Sequence, residues 1–431
     1  MMVYVSDSYY TAIQCSGNYT TTGNTLYPEF WVKEDLDQNH VADDWELPLA
    51  EKFCPYLILE AADQGVRPVP VEILDRNGDG KLTWQDTYVG VNPVGDSHIY
   101  YVKPDKIWIW KGTEWWNYKQ AYPKCRLDEQ WVYADLGDHY FQGEAYLIPH
   151  FEWGELGNTD KNHWYNSWTS VMNQHTGESS YQDGTTYAHL FAYQGHCIIQ
   201  YWFFYPFNHW ASRHEGDWEH INVVLSSQNP ATAVITHVEY YFHKYVKYCY
   251  IEGSDYWVVG NTHPKVYVGG YGCSIDGYDG YGSHGSYPKA KKWSGVAGKW
   301  PAKLDENVHG NGLHINFNNY QNIVILPSIE SVDTDNSPLN WMWFASHWGH
   351  PQSKPSAGEH VDLLAFTIEF ISFIPPTAPY TMALMPFSVG VEIVKDKLID
   401  DTSLAPRGPV AQDNLWEHIY SNCGWNEYKK N

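Results

Sequence analysis

The apolar residues of this chain come in short runs rich in β-branched and aromatic side chains, and most runs are closed by Gly, Pro, Asn or Asp. The clearest are Trp131–Tyr133, Ile198–Phe204, His220–Leu225, Ala233–Phe242, Lys265–Val268, Asn322–Leu326 and Ala365–Phe373. Such runs suit pleated strands, whose side chains alternate between two faces, and the punctuating residues turn the chain back between them. The pattern predicts an all-β fold: a β-sandwich with long loops. Helical spacing is scarce. Asp43–Phe53 places Trp45, Leu49 and Phe53 on one face, and Asn414–Ser421 is a second short candidate. No repeat of solenoid or propeller period is evident. The 431 residues divide, on this reading, into an N-terminal segment with paired calcium loops and short helices (1–100) and a sandwich core (101–431).

Aromatic residues make up 17% of the chain, more than a core absorbs, so some rings are expected to line surfaces where they can stack on sugars. A net charge of −24 repels phosphate backbones and suits a protein that holds divalent cations, which sets nucleic acid aside as a partner. The apolar stretches Cys197–Phe207 and Leu363–Phe387 are interrupted by Gln200 and by Glu369 and several prolines, so neither reads as a membrane span. No basic n-region followed by an apolar stretch opens the chain, while Asn18-Tyr19-Thr20 is a glycosylation sequon. The expected location is extracellular or secretory. Seven cysteines without a Cys-x-x-Cys pair argue against zinc-finger and thioredoxin chemistry, and their odd number leaves at least one thiol.

Two segments place oxygen-bearing side chains at the spacing of a twelve-residue calcium loop. In the segment from Asp75 to Asp86 the ligands would be Asp75, Asn77, Asp79, the Lys81 carbonyl, Thr83 and Asp86, with Gly80 at the sixth position for the sharp turn. In the segment from Asp35 to Glu46 they would be Asp35, Asp37, Asn39, the Val41 carbonyl, Asp43 and Glu46, but His40 stands where glycine is expected, which makes this the poorer match. Alternating carboxylates and amides can wrap a hard cation that needs six to eight oxygens. Both loops resemble those of EF-hand and dockerin type, and Ca²⁺ is the expected cofactor, acting as a structural clamp.

Near the middle, a strand ending at Asn208 is followed by His214-Glu215-Gly216-Asp217-Trp218-Glu219-His220. In extended structure Asp217 and Glu219 share a face, and Gly216 gives His214 a route to it. One imidazole and two carboxylates make a plausible second divalent site, or an acid–base set. The Gly/Tyr-rich stretch Gly269–Tyr287 reads as a functional loop.

The segments YWFFYPFN (201–208), HEGDWEHI (214–221), THPKVYV (262–268), YGSHGSYP (281–288) and WMWFASHWGHP (341–351) resemble, in order, the pattern of the vacuolar protein sorting-associated protein sixty-two family and its plant relatives, over roughly residues 125–425. HEGDWE is also similar to the central heptapeptide of the necrosis- and ethylene-inducing peptide-like cytolysins. That resemblance implies a secreted β-sandwich in which His214, Asp217 and Glu219 hold a divalent cation that helps engage sugar head groups. The chain departs from the cytolysins at Asn208, where they supply an acidic ligand, and in the flank of the heptapeptide. Asn208, His284 and Tyr287 are the expected ligand-binding residues. His347 and His350, among tryptophans, read as packing residues, and His237 and His243 as strand-surface residues.

Three functions compete. The first is metal-assisted binding of glycans or glycolipid head groups. The second is a polysaccharide hydrolase or lyase with Glu219, Asp217 and His284 as catalytic groups. The third is a calcium-stabilised assembly protein. No Gly-x-Ser-x-Gly, Walker or dinucleotide fingerprint occurs, and the sequence leaves the oligomeric state open.

Overall fold

A computed structural model describes residues 4–6, 9–11, 34–61, 67–75, 78–82, 88–93, 100–102, 106–110, 115–118, 131–135, 140–148, 184–193, 196–208, 214–242, 245–251, 258–270, 282–297, 304–315, 321–333, 336–343, 348, 408–412 and 416–417. The predicted run Ala365–Phe373, the sequon and most of Asn414–Ser421 lie outside them, as do His243, His347 and His350.

The chain is all-β. It opens with a hairpin of β1 (Tyr4–Ser6) and β2 (Tyr9–Thr11), then the helix α1 (Asp43–Phe53) and β3 (Tyr56–Ile58). An antiparallel six-stranded sheet follows, made of β4 (Tyr88–Pro93), β5 (Tyr100–Val102), β6 (Lys106–Trp110), β7 (Trp115–Tyr118), β8 (Trp131–Asp135) and β9 (Tyr140–Ile148), in the order β5-β4-β9-β8-β6-β7. The central strands are β10 (Gly184–Tyr193), β11 (His196–Asn208), β12 (His214–Leu225), β13 (Ile235–Phe242) and β14 (Tyr245–Ile251). After them come β15 (Val258–Val259), β16 (His263–Val268), β17 (Ser286–Tyr287), β18 (Lys291–Ala297), β19 (Leu304–Val308), β20 (His314–Ile315) and β21 (Gln321–Leu326).

The sandwich proper has two layers. A six-stranded sheet runs β14-β13-β12-β11-β10-β21, antiparallel throughout except that β21 pairs parallel with β10. A smaller sheet runs β15-β16-β3-β20 with β17 on β16, and there β3 pairs parallel with β16. Strand alternation explains the packing. Tyr201, Phe203, Ile221, Val223 and Val238 point inward and join Leu57, Val266 and Ile315 of the smaller sheet in one apolar core. Tyr240 Oη donates to the Lys265 carbonyl across the layers at 3.0 Å. Helix α1 closes the same side: Leu49, Ala50 and Phe53 are buried, and Tyr201 Oη donates to the Ala50 carbonyl at 2.8 Å.

The outer face of the large sheet is aromatic. Trp218 stacks with Trp341 at 5.5 Å between centroids, meets Trp348 edge-on at 5.4 Å, and packs against Phe204 at 5.0 Å. Burying rings of this size contributes much of a core's stability, and such a Trp→Ala change typically costs about 3–5 kcal/mol. Trp348 also fixes the start of β12. Gly216 has φ +62°, and a Cβ there would lie 1.7 Å from the Trp348 carbonyl oxygen, so no other residue fits.

Candidate functional site

Loop 35–46 converges on a point. The ligand atoms of Asp35, Asp37 and Asp43 all lie within 4.8 Å of one another, the one such group of three among the described residues. His40 N–H donates to Asp35 Oδ2 at 3.1 Å, Leu36 N–H to Asp43 Oδ1 at 3.0 Å, and Val41 N–H to Asn39 Oδ1 at 2.7 Å, so the backbone is wound around its own carboxylates. His40 has φ +67°, the left-handed conformation for which the sixth position favours glycine. Asn39 Nδ2 donates to Glu46 Oε1. The loop is tied to the large sheet and the segment that follows it, since Ala192 N–H of β10 donates to the Asn39 carbonyl at 3.1 Å and Ser328 N–H, just beyond β21, to Asp37 Oδ2 at 2.8 Å.

Electrostatics match that geometry. Burial raises the Glu46 pKa to about 7; the Asn39 hydrogen bond opposes the rise, and the Asp37, Asp43 and Asp35 carboxylates add to it. Burial, and then the Asp37 charge, push Asp35 above its ordinary value as well. Carboxylates held together against their mutual repulsion are what a divalent cation relieves, and the donor set is the hard oxygen set that calcium takes. The residues present fit the ion.

In loop 75–86, Gly80 N–H donates to Asp75 Oδ2 at 2.7 Å, Gly78 N–H to Asp75 Oδ1 at 2.8 Å and Lys81 N–H to Asp79 Oδ1 at 2.9 Å. Gly78 and Gly80 are left-handed, with φ +73° and +79°. The loop leaves toward the core through Leu82, whose N–H donates to Asn340 Oδ1 at 3.1 Å. Asn77, Thr83 and Asp86 lie outside the described residues.

The third cluster sits inside the sandwich at the end of β11 and β12. Register places Asp217 opposite Tyr205 and Glu219 opposite Phe203, so both carboxylates face the smaller sheet, and both are fully buried. Asp217 Oδ2 accepts from Asn208 Nδ2 at 3.0 Å and lies 2.9 Å from His284 Nδ1. The His284 ring stacks on Tyr205, 4.0 Å between centroids and 3° from parallel. The loop carrying it is cross-bonded: His284 N–H donates to the Gly269 carbonyl at 3.1 Å and Gly269 N–H to the Gly285 carbonyl at 2.8 Å. His284 itself has φ +51°, a conformation that costs a non-glycine residue about 1–2 kcal/mol and that the Asp217 contact and the Tyr205 stack hold in place.

The structure thus brings Asn208, Asp217 and His284 into one node. The ligand atoms of Asp217, Glu219 and His284 do not gather as those of loop 35–46 do. His214 pairs with Asn208 in the backbone ladder, but its side chain lies outside the described residues. Tyr287 is buried, with its ring stacked on Trp293 at 5.5 Å. His237 lies on β13, with Nε2 3.8 Å from Glu239 Oε1. Sequence reasoning missed Tyr205 as the ring under His284, although its position opposite Asp217 was readable from strand pairing. It also missed His220, which is fully buried between Trp202 at 4.1 Å and Tyr241 at 3.9 Å, where burial pushes its pKa well below the ordinary value.

No protein-family model matches the chain, and no curated protein does. Among solved structures it is similar to the non-toxic HaNLP3 protein, with 13% identity and TM-score 0.24, over 37% of this chain and 59% of that one. NLPPya in complex with mannosamine gives 16% identity and TM-score 0.21, over 36% and 60%. Necrosis and Ethylene inducing Protein 2 from the causal agent of cocoa's witches' broom disease gives 15% and 0.19, over 32% and 50%. The chain spans less than two thirds of each. At TM-scores this low the likeness assigns neither family nor function.

Proposed function

We propose that this chain binds glycans or glycolipid head groups at the Asn208–Asp217–His284 node, with calcium in loops 35–46 and 75–86 clamping the segment 1–100, which lends β3 to the smaller sheet of the 101–431 core. The observation that carries the reading is the node itself. Three separate segments deliver an amide, a carboxylate and an imidazole to one corner, beside a tyrosine ring and under backbone strain. Convergent polar groups are what a sugar's hydroxyls require, and Tyr205, buried under the His284 ring, orients that ring. In loop 35–46 the calcium would lie among Asp35, Asp37 and Asp43, and its contribution there is charge neutralisation and rigidity. The described part of the node is a hydrogen-bonded set rather than a ligand cage, so a second divalent cation there would need the His214 side chain. An extracellular location accords with calcium clamps and a sugar target.

A second reading, polysaccharide cleavage, is favoured by one distance: an imidazole held at 2.9 Å by a buried carboxylate is the orienting half of a general base. One experiment separates the two. The calcium-loaded protein and the Asp217→Asn and His284→Gln variants are screened against polysaccharides and glycolipids for both binding and product release. Binding that weakens at least about tenfold in both variants, without products, is the expected result, since a charge-assisted hydrogen bond is worth about 1.5–3 kcal/mol. New reducing or unsaturated ends that vanish with His284→Gln would replace binding by catalysis, and silence toward every glycan would end both readings.

A further inference from the structure

Asn208 ends strand β11 and is fully buried, so its amide must find partners inside the protein. Nδ2 donates to Asp217 Oδ2 of β12 at 3.0 Å and, at a longer 3.5 Å, to the Ser283 carbonyl. Both partners are acceptors, which fixes the amide: turned the other way, its oxygen would face two oxygens. One NH2 group therefore bridges β12 to the loop that carries His284. His284 Nδ1 lies 2.9 Å from the same Asp217 oxygen, and with Asp217 ionised the proton between them is on Nδ1. Asp217 Oδ2 thus accepts from two N–H donors that belong to two different segments.

Sequence spacing set an imidazole and two carboxylates here as a second divalent site, and the described residues do not fit one. A hard cation is held by lone pairs, from six to eight oxygens where the ion is calcium. This corner presents hydrogens instead. An amide offers its nitrogen and an imidazole its N–H, both aimed at the carboxylate oxygen that a cation would claim. Loop 35–46 shows the opposite arrangement, three carboxylates crowded with their ligand atoms within 4.8 Å of one another.

We propose that Asn208 takes the place of a cation at this corner. Its NH2 group, the positive end of the amide dipole, joins the β12 carboxylate to the 282–285 loop, so the node assembles and holds its ligand without a divalent ion of its own. The part that concerns the ligand rests on reading the node as the binding site. A buried carboxylate needs compensating donors, and two N–H groups supply them here. The Ser283 bond falls one residue before His284, whose backbone is held at φ +51°, so Asn208 grips the loop beside its strained residue. The loop is also closed at its base, where Gly282 N–H donates to the Gly270 carbonyl at 3.1 Å. Asp217, for its part, follows Gly216, whose left-handed backbone lies against the Trp348 carbonyl. An oxygen in place of the Asn208 nitrogen reverses the effect: Asn208→Asp would set a second carboxylate against Asp217 at the 3.0 Å the amide now spans, a pair that only a proton or a cation can hold.

Counting ions tests this without any glycan, so a failure of glycan binding leaves the result standing. Calcium and, in parallel, magnesium bound per chain are measured by equilibrium dialysis for the full native chain, Asp217→Asn and Asn208→Asp, with near-UV circular dichroism reporting the fold of each. The native chain and Asp217→Asn should bind the same number of ions, and Asn208→Asp one more. Asn208→Ala removes the bridge without adding a carboxylate; it should gain no ion, and amide exchange in a peptide covering 282–287 should quicken about tenfold, as expected for losing a hydrogen bond to a charged group. One ion fewer in Asp217→Asn than in the native chain would place a cation at the node and overturn the proposal. An unchanged count in a folded Asn208→Asp, or unchanged exchange in Asn208→Ala, would overturn it as well. If Asn208→Asp folds only with a divalent ion present, that dependence is the expected gain; if it folds under neither condition, the native count set against Asp217→Asn decides.

Discussion

In loop 35–46 the sixth residue is His40 and in loop 75–86 it is Gly80, yet both take left-handed backbone, φ +67° and +79°, and both give their N–H to the carboxylate of the loop's first residue, at 3.1 Å and 2.7 Å. The seventh residue gives its N–H to the fifth side chain in both, at 2.7 Å and 2.9 Å. What differs is the setting. Gly78, Asp79 and Gly80 are exposed, as are Leu36, Gln38 and His40, but in the first loop Asn39 and Glu46 are buried and the backbone is bonded to Ala192 of the large sheet and to Ser328 just beyond it. A loop that must hold its own shape in water needs a residue for which that shape costs nothing; a loop moulded by a sheet can carry a histidine at a cost of about 1–2 kcal/mol. The glycine rule is therefore a rule about loops whose sixth position has no such anchors beside it.

The largest expected effect comes from the ion. With calcium at about 100 times its Kd, binding to the native state adds about 2.7 kcal/mol per site, so chelation should lower the melting temperature by several degrees, and Asp37→Ala should abolish the share of that shift that loop 35–46 supplies. A melting curve indifferent to chelator would remove both loops as calcium sites. Next is Gly80→Ala. A Cβ there meets nothing within 4 Å, so the cost is conformational alone, about 1–2 kcal/mol by denaturant titration. Smallest is His40→Gly: relief of strain is set against the greater freedom glycine gives the unfolded chain, and the net change should stay within about 0.5 kcal/mol. A loss well beyond that would mean that the His40 side chain does more than occupy a strained turn.

Much of this was readable in the sequence because the signals were local. Trp45, Leu49 and Phe53 mark out α1, and the runs at 131, 198, 220, 265 and 322 lie within β8, β11, β12, β16 and β21. Strand parity put Asp217 and Glu219 on one face, where the structure has them. What stayed hidden depends on distant segments. Strands β4 to β7 went unnoticed because their aromatic runs are only three to six residues long and their pairing, not their alternation, makes the sheet. Gln200 stood out as a break in an apolar stretch, but its reason lies in Asn222 and in Glu417, the latter more than 200 residues away. Tyr205 could be named as the ring under His284 only once β11 and β12 were in register.

The parallel pairing of β10 with β21 has a consequence for biosynthesis. Strands β10 to β14 follow one another as an antiparallel meander that can close by short-range contacts as the chain emerges from the ribosome. The free edge of β10, however, waits for residues 321–326, and β3 waits likewise for β16 and β20. Contacts of such sequence separation form slowly, and an unpaired edge is a template for pairing with another chain. A nascent chain stalled before residue 321 would therefore display β10 as an adhesive border until β21 is made.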